Sequence, residues 1–259
     1  MIEASSIKKH KNIFESYDRI RQKKYLKELI NLDSYHLINS SFFCVVNIKQ
    51  QQYDYVSKNF HACTGHDIEA MIKGGVNYYL SLIHPDDIET YIRCIRDLIA
   101  FTMGKLENEK ERRKMSYTWN YRIKNSNGNY TNIIQNTTPL EFDEKEKPVI
   151  ALTHYTVLDS LVKMDICATA KYLDDKEKYK TLFHKNLTCQ NLLDTTSKRE
   201  HDIIYLLLKG KSSNEIAKEL SISIHTVNTH RKNILKKLNF TSTAQLLDYF
   251  KNCEQNILK

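Results

Sequence analysis

The sequence predicts an α+β chain: an antiparallel sheet with flanking helices over the first two thirds, then a separate all-α unit of four helices. Three observations carry that prediction. Between residues 36 and 159 apolar residues alternate with polar ones, as where Tyr117, Trp119, Tyr121 and Ile123 interleave with Thr118, Asn120, Arg122 and Lys124. From residue 196 onward, serine-headed capping boxes and 3.6-residue apolar spacing replace that alternation. Between the two regions lies a polar stretch containing the charged run Asp174-Asp175-Lys176-Glu177-Lys178. The expected organisation is therefore a helical segment over 1–35, a sheet domain over 36–159, a linker over 160–195 and a helical domain over 196–259.

Composition narrows the function classes. With 259 residues, 41% of them apolar and 27% charged, the chain has the make-up of one or two ordinary globular domains. Its longest apolar run, Ile203 to Leu208, is far short of the roughly 20 residues of a membrane span. The start, MIEASSIKKHK, has no apolar segment of the secretory kind, so a cytoplasmic protein with no membrane partner is expected. Six cysteines stand at least 19 residues apart without any CxxC, which favours scattered thiols over a metal site or a disulfide framework. Six glycines supply no phosphate-binding loop, and no nucleophile–base or paired-carboxylate arrangement is legible, so no enzyme is predicted.

The elements follow in order. Ile13, Tyr17, Ile20, Leu26 and Leu29 roughly keep helical spacing and predict a leading amphipathic helix. Phe42 to Ile48 reads as a buried strand and Tyr53 to Ser57 as its neighbour. His84-Pro85-Asp86-Asp87 opens a helix, with proline suited to the first turn and acids facing its amides, and Ile88, Tyr91, Ile92, Ile95, Leu98 and Ile99 supply the apolar stripe. Tyr117 to Lys124, a turn at Asn125-Ser126-Asn127-Gly128-Asn129, and Tyr130 to Gln135 form a hairpin. Pro148 to Leu158 is apolar on both alternating sets and reads as a central strand. In the connection, Tyr179 to Leu193 is left open between a helix and an extended arm, and between a coupling element and a flexible tether.

In the last domain Ser197-Lys198-Arg199-Glu200, Ser212-Ser213-Asn214-Glu215 and Ser242-Thr243-Ala244-Gln245 are capping boxes, and Ser223 caps a further helix. On that third helix Val227, Ile234 and Leu238 fall on one stripe, while His225, Thr229, Lys232 and Lys236 lie opposite, with Asn228 at the edge. Residues 196–259 hold eleven cations against six anions, and Leu220 to Leu247 contains no acid at all. Cations and hydrogen-bonding groups opposite a packed stripe suit a polyanionic partner, and a helix presenting them suits the major groove of double-stranded DNA.

These stretches, with Gly210-Lys211-Ser212-Ser213-Asn214-Glu215-Ile216-Ala217, Thr226-Val227-Asn228-Thr229-His230 and Asn233-Ile234-Leu235-Lys236-Lys237-Leu238, resemble the LuxR-type helix-turn-helix of bacterial transcription regulators. The resemblance implies that Asn228, Thr229 and Lys232 face bases and that Thr226, Arg231, Lys236 and Lys237 lie near the DNA backbone. It also implies a homodimer, with Leu246, Tyr249 and Phe250 of the last helix as the contact, and leaves RNA polymerase open as a further partner. The family usually has Lys where Asn228 stands and Arg where Thr243 stands, which bears on the operator sequence. His230 belongs to the helix signature and reads as structural or phosphate-proximal.

Asn59-Phe60 before Thr64-Gly65, then Ile83-His84-Pro85-Asp86-Asp87, then Tyr121-Arg122-Ile123-Lys124 with Gly128, resemble a PAS domain over about 36–159. That resemblance implies sensing of a ligand, a cofactor or a protein partner. No cofactor is evident, because the cysteine run of flavin photosensors is missing, His61 and His66 are five apart and so do not share a helical face, and His84 belongs to the helix-entry motif; a small organic ligand stays open. The combination predicts a sequence-specific transcription regulator. The alternatives are a signalling adaptor that does not bind DNA, an acyl-homoserine-lactone-type receptor, for which the single Trp119 is too few tryptophans, and a phosphorylated response regulator, whose strand–helix order is lacking.

Overall fold

A computed structural model of the chain describes residues 30, 31, 33, 34, 39–158 and 164–255; the helix expected over Ile13–Leu29 lies outside them. The chain divides into two units, one up to His184 and one from Lys185 onward.

The first unit is built on a sheet in the order β2-β1-β5-β4-β3-β6-β7. Its strands are β1 (Ser41–Asn47), β2 (Gln52–Val56), β3 (Met115–Lys124), β4 (Tyr130–Phe142), β5 (Pro148–Leu158), β6 (Cys167–Leu173) and β7 (Tyr179–Asn186). β5 lies between β1 and β4 and is antiparallel to both, the interior place its apolar content requires. Val149, Ile150 and Ala151 are buried in succession, so the start of β5 is covered on both faces. Farther along, Thr153, Tyr155 and Val157 are buried while His154 is exposed, the alternation of a strand with one covered face.

Between β2 and β3 run α1 (Asn59–Thr64), α2 (Ile68–Leu82), α3 (Pro85–Lys105) and α4 (Glu109–Arg112). α2 kinks at Gly75, whose φ of 61° and position against the Gln51 carbonyl leave no space for a Cβ. α3 begins as the sequence suggests, with Pro85 in its first turn and His84 as cap, its ring Nδ1 accepting from the Asp86 amide at 3.1 Å. Asp87 does more than complement the helix dipole. It is 4% exposed and accepts from the Arg122 amide at 3.0 Å and from Arg122 Nε at 2.9 Å, locking the helix entry onto β3. Arg122 returns a second bond, its carbonyl accepting from the His84 amide at 2.9 Å.

Residues 160–195 depart from the expected linker. β6 pairs with β3 from Met115↔Tyr172 to Trp119↔Ala168, and β7 lies beside β6. The reason is local. Ala168 and Ala170 are fully buried, small residues at period two that let the strand close on the sheet, and the Asn120 side chain clamps its start by donating to the Asp165 carbonyl and accepting from the Cys167 amide. The charged run is the turn: the Asp174 amide donates to the Lys178 carbonyl at 3.0 Å, and its carboxylate accepts from the Lys176 and Lys178 amides at 2.9 and 3.0 Å. Glu177 takes a φ of 57° in that turn.

The second unit holds α5 (Leu187–Asp194), α6 (Lys198–Leu208), α7 (Ser213–Glu219), α8 (Ile224–Leu238) and α9 (Thr243–Gln255). α5 extends the expected four helices by one, because Cys189 joins their core and Leu192 and Leu193 pack against it. Ile203, Ile204, Ile216, Val227, Ile234, Leu238, Leu246 and Phe250 form the rest of that core.

Candidate nucleic-acid interface and ligand cavity

Helix α8 is fixed by caps, by its apolar stripe and by Arg231. The Ser197 and Ser212 hydroxyls accept from the amides of Glu200 and Glu215, whose carboxylates accept back from the serine amides, both at 2.8 Å. Ser223 caps α8 by accepting from the Thr226 amide at 3.0 Å. The box expected at Ser242 is half formed: Ser242 accepts from the Gln245 amide at 3.1 Å, but Gln245 Oε1 reaches one residue farther and accepts from the Thr241 amide at 2.8 Å. Val227, Ile234 and Leu238 point into the core, so the opposite face of α8 is presented outward. His225, Asn228, Thr229, Lys232 and Lys236 are all exposed there.

α7 and α8 follow each other as helix, turn and helix, joined by the short Leu220-Ser221-Ile222-Ser223 connection in which Ser221 adopts a φ of 54°. Residues 194–250 match the family model of bacterial regulatory proteins of the luxR family. The helical unit is a LuxR-type domain. Residues 53–153 match the PAS fold, so the sheet unit carries that fold. Among curated proteins, 56 residues are 48% identical to the transcriptional regulatory protein MctR of Rhizobium johnstonii, covering 22% of this chain and 26% of that protein. Over 53 residues the chain is 43% identical to the oxygen regulatory protein NreC of Staphylococcus carnosus, covering 20% and 24%. The chain thus spans about a quarter of the length of these relatives. A solved structure of the Vibrio cholerae VqmA dimer is 15% identical, covers 87% of this chain and 86% of its own, and has a TM-score of 0.36.

Within the LuxR-type domain the expected contact residues fall into two sets. Lys232 and Lys236 are exposed, and among the described residues neither stands within ion-pair distance of a carboxylate. Thr229 is exposed with its hydroxyl donating back to the His225 carbonyl at 3.0 Å, which leaves its lone pairs and methyl outward. Asn228 is exposed at the edge, and its Oδ1 accepts from the Ser213 hydroxyl at 3.0 Å. Thr226 is half-buried and shares a 2.8 Å hydroxyl contact with Ser223.

Arg231 and Lys237 are engaged inside the domain. Arg231 donates to the Ser213 hydroxyl at 2.6 Å and to the Thr243 hydroxyl at 3.0 Å, tying α8 to the starts of α7 and α9. Thr243, where the family usually has arginine, is thereby a partner within the fold. Lys237 Nζ lies 3.0 Å from the Glu200 carboxylate. The Ser197 amide, with help from Lys237, holds that carboxyl below the usual carboxylate range. Arg199 pins α6 to the end of α7 by donating to the Leu220 carbonyl at 2.6 Å. Leu246 and Phe250, expected as a dimer contact, are buried in the domain's own core, 1% and 2% exposed, where the apolar face of α9 closes that core. Tyr249 is half-buried against Phe240 and Phe250.

The PAS fold holds a partly open cavity of about 110 Å³ between α3 and the sheet, lined by Leu98, Ile99, Tyr117, Trp119, Ala151 and Tyr155 among others. Its lining is mostly apolar, with a polar floor made by Gln135, Thr137 and Thr153. Gln135 accepts from Tyr121 and donates to Thr137, whose hydroxyl meets that of Thr153 at 3.2 Å. Burial pushes the hydroxyls of Tyr79, Tyr121 and Tyr155 well above their ordinary range, and that of Tyr117 up to about 12, so these groups stay neutral hydrogen-bonding partners. Two lining residues hold a buried N–H with no partner among the described residues, Trp119 at Nε1 and Arg112 at Nε. Sequence reasoning missed the cavity, whose wall residues come from eight separate elements.

The histidines weighed as ligands have other work. His66 contacts the Lys124 carbonyl at 2.8 Å, His61 contacts the His66 carbonyl at 3.0 Å, and His84 caps α3. Among the described residues no group of three or more His, Cys, Asp or Glu is placed to hold a metal ion. No helix among them is long and apolar enough to cross a membrane.

Proposed function

We propose that the protein is a sequence-specific DNA-binding transcription regulator whose PAS fold senses a small organic ligand. The observation that carries this reading is the outward face of α8: exposed Asn228, Thr229, Lys232 and Lys236 on a helix whose other face is buried, within a region that matches the luxR family. Such a helix offers amide and hydroxyl groups to base edges and ammonium groups to phosphates. In this reading Asn228, Thr229 and Lys232 address bases, and Lys236 and Thr226 address the backbone. Arg231 and Lys237 act chiefly by holding α8 in place, since their head groups bond within the domain.

The protein acts as a homodimer on paired half-sites, which matches the geometry of helix-turn-helix recognition. Ligand occupancy of the PAS cavity changes the affinity of the LuxR-type domain for its operator, and RNA polymerase is a partner at the promoter. No catalytic step is involved. The VqmA structures include complexes with the ligand DPO and with DNA, a precedent for pairing the two functions in one chain.

The test is genome-wide DNA occupancy of the intact protein, followed by fluorescence anisotropy on the recovered duplexes across a salt series. Saturable binding with a steep negative dependence on salt supports the reading. Binding that is absent or indifferent to salt refutes it in favour of a protein-binding adaptor.

A further inference from the structure

One side chain of the outward face of α8 is tethered to the domain behind it. The Ser213 hydroxyl donates to Asn228 Oδ1 at 3.0 Å, and its oxygen accepts from one terminal nitrogen of Arg231 at 2.6 Å. The other terminal nitrogen of Arg231 donates to the Thr243 hydroxyl at 3.0 Å. Thr243, Arg231, Ser213 and Asn228 thus form one chain of bonds, from the first residue of α9 through α8 and the first residue of α7 back to the edge of the outward face. Asn228 is its exposed end, while Ser213, Arg231 and Thr243 are half-buried. Thr229, beside Asn228, bonds back to its own helix instead.

The donors and acceptors of this chain run in one direction. A guanidinium only donates, so Arg231 needs an acceptor at each branch of its fork, and the hydroxyls of Ser213 and Thr243 supply them. With one lone pair of Ser213 given to Arg231, its single hydroxyl proton goes on to Asn228. The charge on Arg231 polarises that hydroxyl, and bonds in such a series strengthen one another. Asn228 and Thr243 are also the two positions at which this sequence departs from the lysine and the arginine usual in its family. Each departure puts a side chain that can accept where one that only donates would stand, and an acceptor is what each end of the chain requires.

We propose that Ser213 and Arg231 are positioning residues for base recognition: they fix the rotamer of Asn228 and so set how sharply it selects one base pair of the operator. The inference rests on the reading of Asn228 as a base-facing residue and adds the support that makes it selective. An asparagine free to rotate can turn toward several base edges and must be ordered on docking, whereas a held one presents a single geometry.

The test uses the full-length chain and the operator duplexes recovered by genome-wide occupancy. Fluorescence anisotropy on a panel with each of the four base pairs at each operator position gives a preference profile. The profile is taken for the wild type, Asn228→Ala, Ser213→Ala, Ser213→Thr and Arg231→Lys. Asn228→Ala should flatten it at one position, which identifies the base pair that Asn228 reads. Ser213→Ala should reduce the preference at that same position by on the order of five-fold, leave the other positions alone, and add nothing when combined with Asn228→Ala. Ser213 is the first residue of its helix and half-buried, a place where alanine is tolerated. Ser213→Thr keeps the hydroxyl and should restore the preference. Arg231→Lys keeps the charge but loses the fork, and should flatten the same position.

A general weakening of the fold lowers affinity for all duplexes alike and leaves the profile unchanged, so a purely structural role does not imitate this result. An unchanged profile in Ser213→Ala, or a change at a position other than that of Asn228, overturns the inference and leaves the DNA-binding reading intact. An unchanged profile in Arg231→Lys overturns the role assigned to Arg231. If Asn228→Ala alters no position, the inference falls with the base-facing assignment of Asn228. If no duplex is recovered at all, it falls with the DNA-binding reading.

Discussion

Lysine-to-alanine substitutions along α8 distinguish cations that reach DNA from cations that hold the helix. Lys232 and Lys236 are exposed on the outward face, whereas Lys237, also exposed, has its Nζ 3.0 Å from the Glu200 carboxylate. Each phosphate contact contributes about −0.9 to the slope of log K against log salt, so losing one contact weakens binding by about eight-fold at 0.1 M relative to 1 M salt. Lys236→Ala should therefore flatten the slope by about 0.9, and Lys232→Ala together with Lys236→Ala should cost up to about sixty-fold if both meet phosphates. A Lys232 that meets a base edge instead lowers affinity on the operator and leaves other duplexes less affected. Lys237→Ala should change the slope by less than half as much, and should lower the stability of the helical unit by no more than about 1 kcal/mol because the lysine is 41% exposed. The assay is fluorescence anisotropy with a labelled operator at four or more salt concentrations. An unchanged slope in the double variant, or a Lys237→Ala slope equal to that of Lys236→Ala, refutes the assignment.

Three further expectations concern the scaffold. Asp87→Asn removes the buried carboxylate beneath Arg122 and should cost about 3 kcal/mol, the lower end for a broken buried pair because the Arg122 side chain is 23% exposed; urea unfolding followed by Trp119 emission reports it. Phe250→Ala should cost about 3–5 kcal/mol in helical circular dichroism under denaturant, and a variant that keeps its stability but loses only an oligomer would return Phe250 to an interface role. Glu200 and Glu215 have carboxyls held low, in each case first by the amide of the capping serine, so their folded-state values lie below their unfolded ones. Their stabilisation is complete above the unfolded value of about 4.5 and is lost as pH falls through the folded one. Acid unfolding of the helical signal should begin below that value, and Glu200→Gln should weaken the dependence.

How much was legible depends on whether a feature is local. The helix starts at Ser197, Ser212 and Ser223 could be read because a cap and its partner lie three residues apart. The inward stripe of α8 was legible from periodicity for the same reason. The hairpin of β6 and β7 was missed, although a signal existed. Asp174-Asp175-Lys176-Glu177-Lys178 repeats the pattern of Asp143-Glu144-Lys145-Glu146-Lys147, and both form one turn, with the first aspartate accepting from two amides and the glutamate at a φ of 57°. The earlier copy joins β4 to β5, so the later one could have been read as a strand connection. The partners of Asp87, Arg199 and Arg231 were not legible, because each bond spans 12 to 35 residues and no spacing rule relates its ends. That Leu246 and Phe250 close the domain's own core was not legible, because one amphipathic face serves a domain core and a dimer contact equally well on paper.

The placement of β6 bears on how the sensor is to be handled as a fragment. Met115 to Trp119 reads MSYTW, a run rich in strand-forming aromatic and β-branched residues, and β6 covers its outer edge. A fragment ending at residue 158, the close of β5, would leave that edge open to any other strand it meets, including its own copy. In the intact unit the open edge on that side belongs to β7, where Tyr179, Lys180 and Thr181 are exposed and the lysine discourages pairing. A soluble sensor fragment therefore runs through Asn186, well past the end of the matched PAS region.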